Sequence, residues 1–99
     1  MTLREVILAS RTLDEDLVVY ARKIGGQYLD SSEAMVLSLT EAESELKTDE
    51  VARLKCPGFT YCLEMFLIQE MMEGLDEDSS ESVKNERIGR ILYYMEYDA

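Results

Sequence analysis

Apolar positions cluster into short segments separated by polar turns, and the longest of these segments is Phe59–Leu75. At 100° per residue, its leucines and methionines fall on one broad arc, while Cys62 and Phe66 lie on a second side. A helix that is apolar on two sides is typical of one packed between neighbours. Pro57-Gly58 precedes the segment and Gly74 stands near its end, where helix boundaries are expected. The pattern therefore predicts a central helix over residues 59–75.

Glu64 interrupts the apolar arc of this segment. A buried carboxylate is costly unless it is paired or hydrogen-bonded. One interpretation is an acid in the first helical turn, stabilised by the helix dipole and by an arginine such as Arg22, Arg53 or Arg87. The other interpretation is a functional acid. The first is favoured because no histidine and no second carboxylate share that face of the helix.

Two further helices are predicted at the ends of the chain. Thr2 and Glu5 have the spacing of a capping box, which predicts a short helix over residues 3–10. Ser79 or Ser80 can cap a last helix that runs from about Glu81 to Glu96. Its buried stripe consists of apolar side chains at helical spacing, namely Ile88, Ile91, Leu92 and Met95.

Two β-branched segments, Leu17–Arg22 and Ala34–Leu39, predict strands that pair antiparallel across the loop 23–33. Residues 27–29 are a candidate third strand, and residues 49–55 a candidate short helix. A two-stranded sheet needs a helix on one face to be stable. We therefore expect one α+β domain over residues 1–99: a small antiparallel sheet of two to three strands, packed against the central helix and the terminal helices.

The charge of the chain is strongly acidic, with 21 Asp and Glu against 10 Lys and Arg, a net charge of −11. Most of the excess lies in residues 41–81, where 12 acids against 3 bases give −9. Such a charge repels nucleic acid and anionic membranes and suits a basic protein partner. No apolar run is long enough to span a membrane, and no signal peptide is evident, so a cytoplasmic location is expected.

Little in the sequence predicts catalysis or cofactor binding. The chain has no histidine and only two cysteines, Cys56 and Cys62, which are expected to be reduced and too few for a structural zinc site. A calcium loop beginning at Asp76 would place Glu81 where glycine is required and Arg87 where glutamate is required. No nucleotide-binding or nucleophile motif is present. We therefore expect no enzyme activity, no metal and no cofactor.

The candidate partner-binding residues are the acids that give the chain its excess charge and the tyrosines of the last helix. The acids can steer a basic partner, and tyrosines are enriched at binding hot spots. The set consists of Glu41, Glu43, Glu45, Asp49, Glu50, Glu70, Glu73, Asp76, Glu77, Asp78, Glu81, Tyr93, Tyr94 and Tyr97.

The order of segments LREVI, VVYARK, DSSEAMVLSL, PGFTYCLEMFLIQEMMEGL and ILYYMEYDA resembles a family of small bacterial domains found beside toxin genes and similar to immunity proteins. The resemblance implies a cytoplasmic bacterial protein that binds and neutralises a cognate toxin. Because the shared segments are structural patterns, it implies no site residue. Toxins of this kind are often basic nucleases, which agrees with the acidic charge.

Two alternatives remain beside this immunity-type inhibitor of a basic partner. The first is a structural or regulatory interaction module, of which a homodimer that uses a surface rich in methionine and tyrosine is one form. An exposed apolar patch would distinguish it. The second is a nucleic-acid mimic, which requires acids at regular spacing along one side of the fold.

Overall fold

Three antiparallel strands form the centre of the fold, and helices cover both faces of the sheet. The computed structural model describes residues 1–76 and 78–97. The elements are α1 (Leu3–Ala9), a 3₁₀ turn (Ser10–Thr12), β1 (Val18–Ala21), β2 (Ala34–Leu37), α2 (Glu41–Ser44), α3 (Thr48–Lys55), β3 (Thr60–Glu64), α4 (Met65–Met71) and α5 (Glu81–Tyr97). The strand order is β2-β1-β3. The predicted α+β class with a small antiparallel sheet is confirmed.

The first two strands pair as the sequence predicts, with Val18 opposite Leu37 and Ala21 opposite Ala34. On the other side of β1, Val18 pairs with Glu64, and the register shifts between Val19 and Tyr20. The third strand is not the predicted segment 27–29. Within that segment only Gln27 forms a single bridge, to Ile24 across the glycine turn, and no ladder follows.

The prediction of one central helix over residues 59–75 is wrong in its first part. Residues Thr60–Glu64 form β3, and the helix that follows, α4, spans Met65–Met71 only. A short apolar run cannot be assigned to helix or strand by periodicity alone. Thr60 and Tyr61 favour a strand, and pairing with β1 gives their backbone groups partners.

Glu64 is therefore the residue at which strand turns into helix. Its backbone is extended, with φ −78° and ψ 144°, and it occupies the N-cap position of α4 without a capping side-chain hydrogen bond. Its side chain is half-buried. The three proposed arginine partners are engaged elsewhere: Arg22 pairs with Glu33, Arg53 pairs with Asp49, and Arg87 donates to backbone carbonyls.

The sheet separates two hydrophobic clusters. One face of β1 contributes Val19 and Ala21 to a large cluster, cluster 1, which packs against α1, α4 and α5. The other face contributes Tyr20 to a smaller cluster, cluster 2, in which Val51 and Ala52 of α3 are buried. Alternating side chains along a strand point to opposite faces, which is why one strand serves both clusters.

The two cysteines lie in different clusters. Cys56 is buried in cluster 2 and Cys62 in cluster 1, and both are free thiols. Their separation by the sheet explains why they do not form a disulfide with one another.

The helix ends follow the sequence signals closely. Thr2 and Glu5 form the predicted capping box of α1, with the Thr2 backbone N–H 2.8 Å from a Glu5 carboxylate oxygen. Thr40 and Glu43 form a second capping box, at α2. Helix α5 spans Glu81–Tyr97, one residue longer than predicted, and buries Ile88, Ile91 and Met95, with Leu92 half-buried. No helix within residues 1–76 and 78–97 has the length and apolar character required to cross a membrane.

Candidate protein-binding surfaces

The acids that follow α4 lie on the cluster 1 side of the sheet. Glu70 and Glu73 are exposed at the end of α4, and Asp76 and Asp78 are exposed in the turn before α5. None of these four carboxylates forms an ion pair with another described residue. Glu77 lies outside the described residues. Glu81, at the start of α5, differs from the others because its carboxylate lies 3.1 Å from the Arg4 guanidinium.

A second acidic turn, Asp14–Asp16, follows a segment that is hydrogen-bonded to α4. The Gln69 side-chain amide donates hydrogen bonds to the Ser10 and Leu13 carbonyls, at 2.9 and 2.8 Å. These bonds hold the segment that leads into Asp14 against α4. All three residues of the turn are exposed. Seven exposed carboxylates thus belong to α4, the segment that follows it and the turn next to the Gln69 contact, and we call them the α4 acidic surface: Asp14, Glu15, Asp16, Glu70, Glu73, Asp76 and Asp78.

Two arginines fix the backbone beneath this surface. The Arg11 guanidinium donates to the Met72 carbonyl at 2.8 Å, and the Arg87 guanidinium donates to the Met71 and Glu73 carbonyls at 2.6 and 3.0 Å. Carbonyls at a helix C-terminus lack intrahelical partners, and a cation there also complements the helix dipole. The arginines therefore hold the end of α4 in place by bonding to its backbone and leave its carboxylates to solvent.

The acids of the α2–α3 segment lie on the opposite side of the sheet, because α3 packs in cluster 2. Two of them are paired within the chain: Glu43 lies 3.1 Å from the Lys55 ammonium, and Asp49 lies 3.5 Å from the Arg53 guanidinium. The backbone N–H of Thr40, together with Lys55, holds the pKa of Glu43 below its ordinary value.

The rest of the α2–α3 acids form no ion pair with a described residue. Glu41 and Glu45 are exposed and Glu50 is half-buried, and Leu54 beside them is 70% exposed. The structure therefore divides the predicted acids into two groups on opposite layers of the fold. Both groups remain predictions as binding residues.

The three tyrosines of α5 also separate. Tyr93 and Tyr97 are 63% and 65% exposed, and their ring centroids lie 4.6 Å apart. Tyr94 is half-buried and packs against cluster 1. Of the predicted tyrosine anchors, only the first two present most of their surface to a partner.

A groove runs beside this tyrosine pair, between α5 and the β1–β2 loop. It consists of two adjoining depressions of about 460 and 220 Å³ that share Gly89 and Leu92 in their linings. The groove is lined on the loop side by Leu29 and on the helix side by Tyr93 and Tyr97. We call this feature the α5 groove. The sequence pattern did not indicate it, although a glycine in the middle of a helix is a signal that could have done so.

The loop that borders the groove is attached to the end of α5. The Glu96 carboxylate accepts a hydrogen bond from the Tyr28 backbone N–H at 3.0 Å and lies 3.5 Å from the Lys23 ammonium. The Tyr28 hydroxyl donates a hydrogen bond to the Tyr61 carbonyl at 2.6 Å. The shape of the groove is thus set by contacts within the chain.

The nucleophilic side chains are buried and protonated at neutral pH. Burial raises the pKa of the Cys62 thiol to about 12, and it also raises the pKa of the Cys56 thiol. Burial likewise raises the pKa of the Tyr61 hydroxyl to about 12. Thiolates, and not thiols, are the reactive species. Among residues 1–76 and 78–97, no group of three or more His, Cys, Asp or Glu side chains is placed to hold a metal ion.

Comparison with known proteins places the chain in a family. Residues 1–99 match DUF7716, described as a domain of unknown function. No curated protein and no solved structure matched the chain. The description of this family names no function, so the resemblance to toxin-immunity proteins stays a hypothesis. Along its whole length of 99 residues, the chain belongs to the DUF7716 family.

Proposed function

We propose that this domain is a cytoplasmic protein-binding module that docks a basic protein and neutralises it, in the manner of an immunity protein. The α4 acidic surface is its docking site. One observation carries the assignment: the seven carboxylates of this surface are exposed, and none forms an ion pair with a described residue.

Such a surface favours association through its electric field. Exposed charges interact over a Debye length of about 8 Å at physiological ionic strength, so neighbouring carboxylates act together on an approaching cation. Steering of this kind raises the association rate of oppositely charged proteins by roughly 10- to 1,000-fold. The α2–α3 acids are expected to contribute less, because Glu43 and Asp49 are already paired with Lys55 and Arg53.

The backbone that carries these carboxylates is held by hydrogen bonds within the domain. The end of α4 is held by two guanidinium groups, and the 14–16 turn begins beside the Gln69 amide. A preformed surface loses less conformational entropy when it binds than a flexible one. The proposal therefore predicts that the partner contacts these acids without large rearrangement of the domain.

The experiment is to express the chain together with the protein encoded by the adjacent gene and to measure the association and dissociation rates at several salt concentrations. We expect a complex whose association rate falls steeply between roughly 25 and 500 mM salt, while its dissociation rate changes much less. If the neighbouring protein has an activity, one equivalent of the domain should abolish it. A stable complex that forms at the same rate at every salt concentration would contradict electrostatic docking.

A further inference from the structure

The middle of α5 contains a glycine that no contact within the domain requires. A Cβ built at Gly89 would meet no atom within 4 Å, and the φ angle of this residue is not positive. Glycine inside a helix costs roughly 0.5–1 kcal/mol relative to alanine. The stability of the monomer therefore gives no reason for glycine here, whereas a close approach from outside the chain does.

The charged side chains of the α5 groove are paired, unlike those of the α4 acidic surface. Three charged side chains line the groove: Arg4 and Asp30 are 4.0 Å apart, and Glu96 is 3.5 Å from the Lys23 ammonium. The groove thus has no unpaired charge to attract a basic partner. It suits a surface that is itself apolar and uncharged.

The exposed tyrosine pair is such a surface, and it stands on the same helix as the groove. Gly89 and Tyr93 are four residues apart, and Asn85 and Tyr97 are twelve apart, so both pairs are centred on residue 91. When two helices pack antiparallel around a two-fold axis that crosses them at the level of residue 91, residue 89 lies opposite 93 and residue 85 lies opposite 97. Each contact between two different residues then occurs twice, once in each direction between the copies, as a two-fold symmetric interface requires.

We propose that α5 binds a second copy of this chain through the α5 groove. In this dimer, Tyr93 of each copy covers Gly89 of the other, where the missing side chain leaves room for the ring. Tyr97 of each copy enters the polar end of the other groove, where the Arg4 guanidinium already donates to the Asn85 side-chain amide oxygen at 2.8 Å. A tyrosine hydroxyl can hydrogen-bond there while its ring stays on apolar surface.

The self-association is expected to be weak. Residues 85–97 span about 18 Å of helix, and two tyrosines per copy supply most of the apolar contact, so the buried area lies at the low end for specific interfaces. The charge of −11 on each copy opposes the contact, and salt should therefore strengthen it. The opposite salt dependence distinguishes this interface from docking at the α4 acidic surface.

The test is sedimentation equilibrium of the 11.4 kDa chain from roughly 10 μM to 1 mM in moderate salt, a range that brackets weak dissociation constants. We expect dimers at the upper end of this range. Gly89→Leu, which fills the position that Tyr93 of the other copy covers, should weaken the dimer at least tenfold. Val83→Phe adds bulk on the same helix, roughly 120° away from Gly89, and should leave the dimer unchanged.

A compensating variant tests the register. Tyr93→Ala removes the ring that meets residue 89, so Gly89→Leu combined with Tyr93→Ala should dimerise more tightly than Gly89→Leu alone. Circular dichroism checks that each variant is folded. The proposal is overturned by a chain that stays monomeric up to 1 mM, by Gly89→Leu dimerising like the unaltered chain, or by a double variant no tighter than the single one.

Discussion

The buried thiol of Cys62 should make the domain lose stability in alkaline solution. Its side chain is fully buried in cluster 1, and its Sγ lies 3.6 Å from the Thr60 carbonyl oxygen. Burial raises its pKa from the ordinary value of 9.0 to about 12. Because the folded state binds this proton more tightly than the unfolded state, the contribution to stability is complete below pH 9. It is lost as the pH rises from about 9 to about 12.

The size of the loss follows from the two pKa values. Each unit of difference corresponds to about 1.4 kcal/mol, so the full gap of about three units is worth about 4 kcal/mol. Between about pH 8 and about pH 11, linkage gives a decrease of about 2.5 kcal/mol from this thiol alone. That is a large share of the free energy of unfolding of a domain, which is roughly 5–15 kcal/mol.

The assay is guanidinium unfolding at both pH values in the presence of a reductant, for the unaltered chain and for Cys62→Ala. The variant should be less stable at pH 8 by roughly 1 kcal/mol, because it leaves a small cavity. Between the two pH values it should lose about 2.5 kcal/mol less than the unaltered chain. Cys56 and the tyrosines are present in both proteins, so the part of their titration that does not depend on the Cys62 thiol cancels in the comparison. Equal losses in the two proteins would refute the argument that folding buries this thiol in its protonated form.

Two further substitutions test individual contacts by chemical denaturation. Tyr28→Phe removes the hydroxyl that donates to the Tyr61 carbonyl and should cost about 1–2 kcal/mol; an unchanged midpoint would show that water replaces this bond. Gly58→Ala should destabilise more than Gly26→Ala, although both have positive φ angles, +88° and +81°, because only the Cβ at 58 would come within 2.9 Å of the Arg22 guanidinium. Arg22 stacks 4.5 Å from the Phe59 ring centroid. Equal costs of roughly 1 kcal/mol in the two alanine variants would mean that backbone strain alone decides the outcome.

The elements with local signals in the sequence were predictable. The capping box at Thr2, the β-branched strands and the apolar stripe of α5 each depend on residues near one another in the chain. The change from strand to helix at Glu64 has no local signal of comparable strength. Residues 60–64 become a strand because β1 offers partners for their backbone groups, and sequence periodicity does not contain that information.

The candidate surfaces depended even more on tertiary structure. The sequence placed the acids of 41–50 and 70–81 in one run, but packing assigns them to opposite layers. It gave the Asp14–Asp16 turn no role, and the Gln69 hydrogen bond to the Leu13 carbonyl brings that turn beside α4. Tyr93 is exposed and Tyr94 is half-buried because their side chains point to different sides of α5. Their spacing in the sequence predicts this difference in direction but not which side is exposed.

The most direct test of the docking proposal compares two triple charge reversals in their rate of association with the basic partner. Each replaces three glutamates by lysine and changes the net charge from −11 to −5, since each reversal adds +2. One variant alters the α4 acidic surface and the other the opposite layer: Glu15, Glu70 and Glu73 in the first, and Glu41, Glu45 and Glu50 in the second. We predict that the first lowers the association rate roughly tenfold or more beyond the effect of the second. Equal losses would mean that only net charge matters, and a larger loss in the second variant would place the docking site on the α2–α3 side.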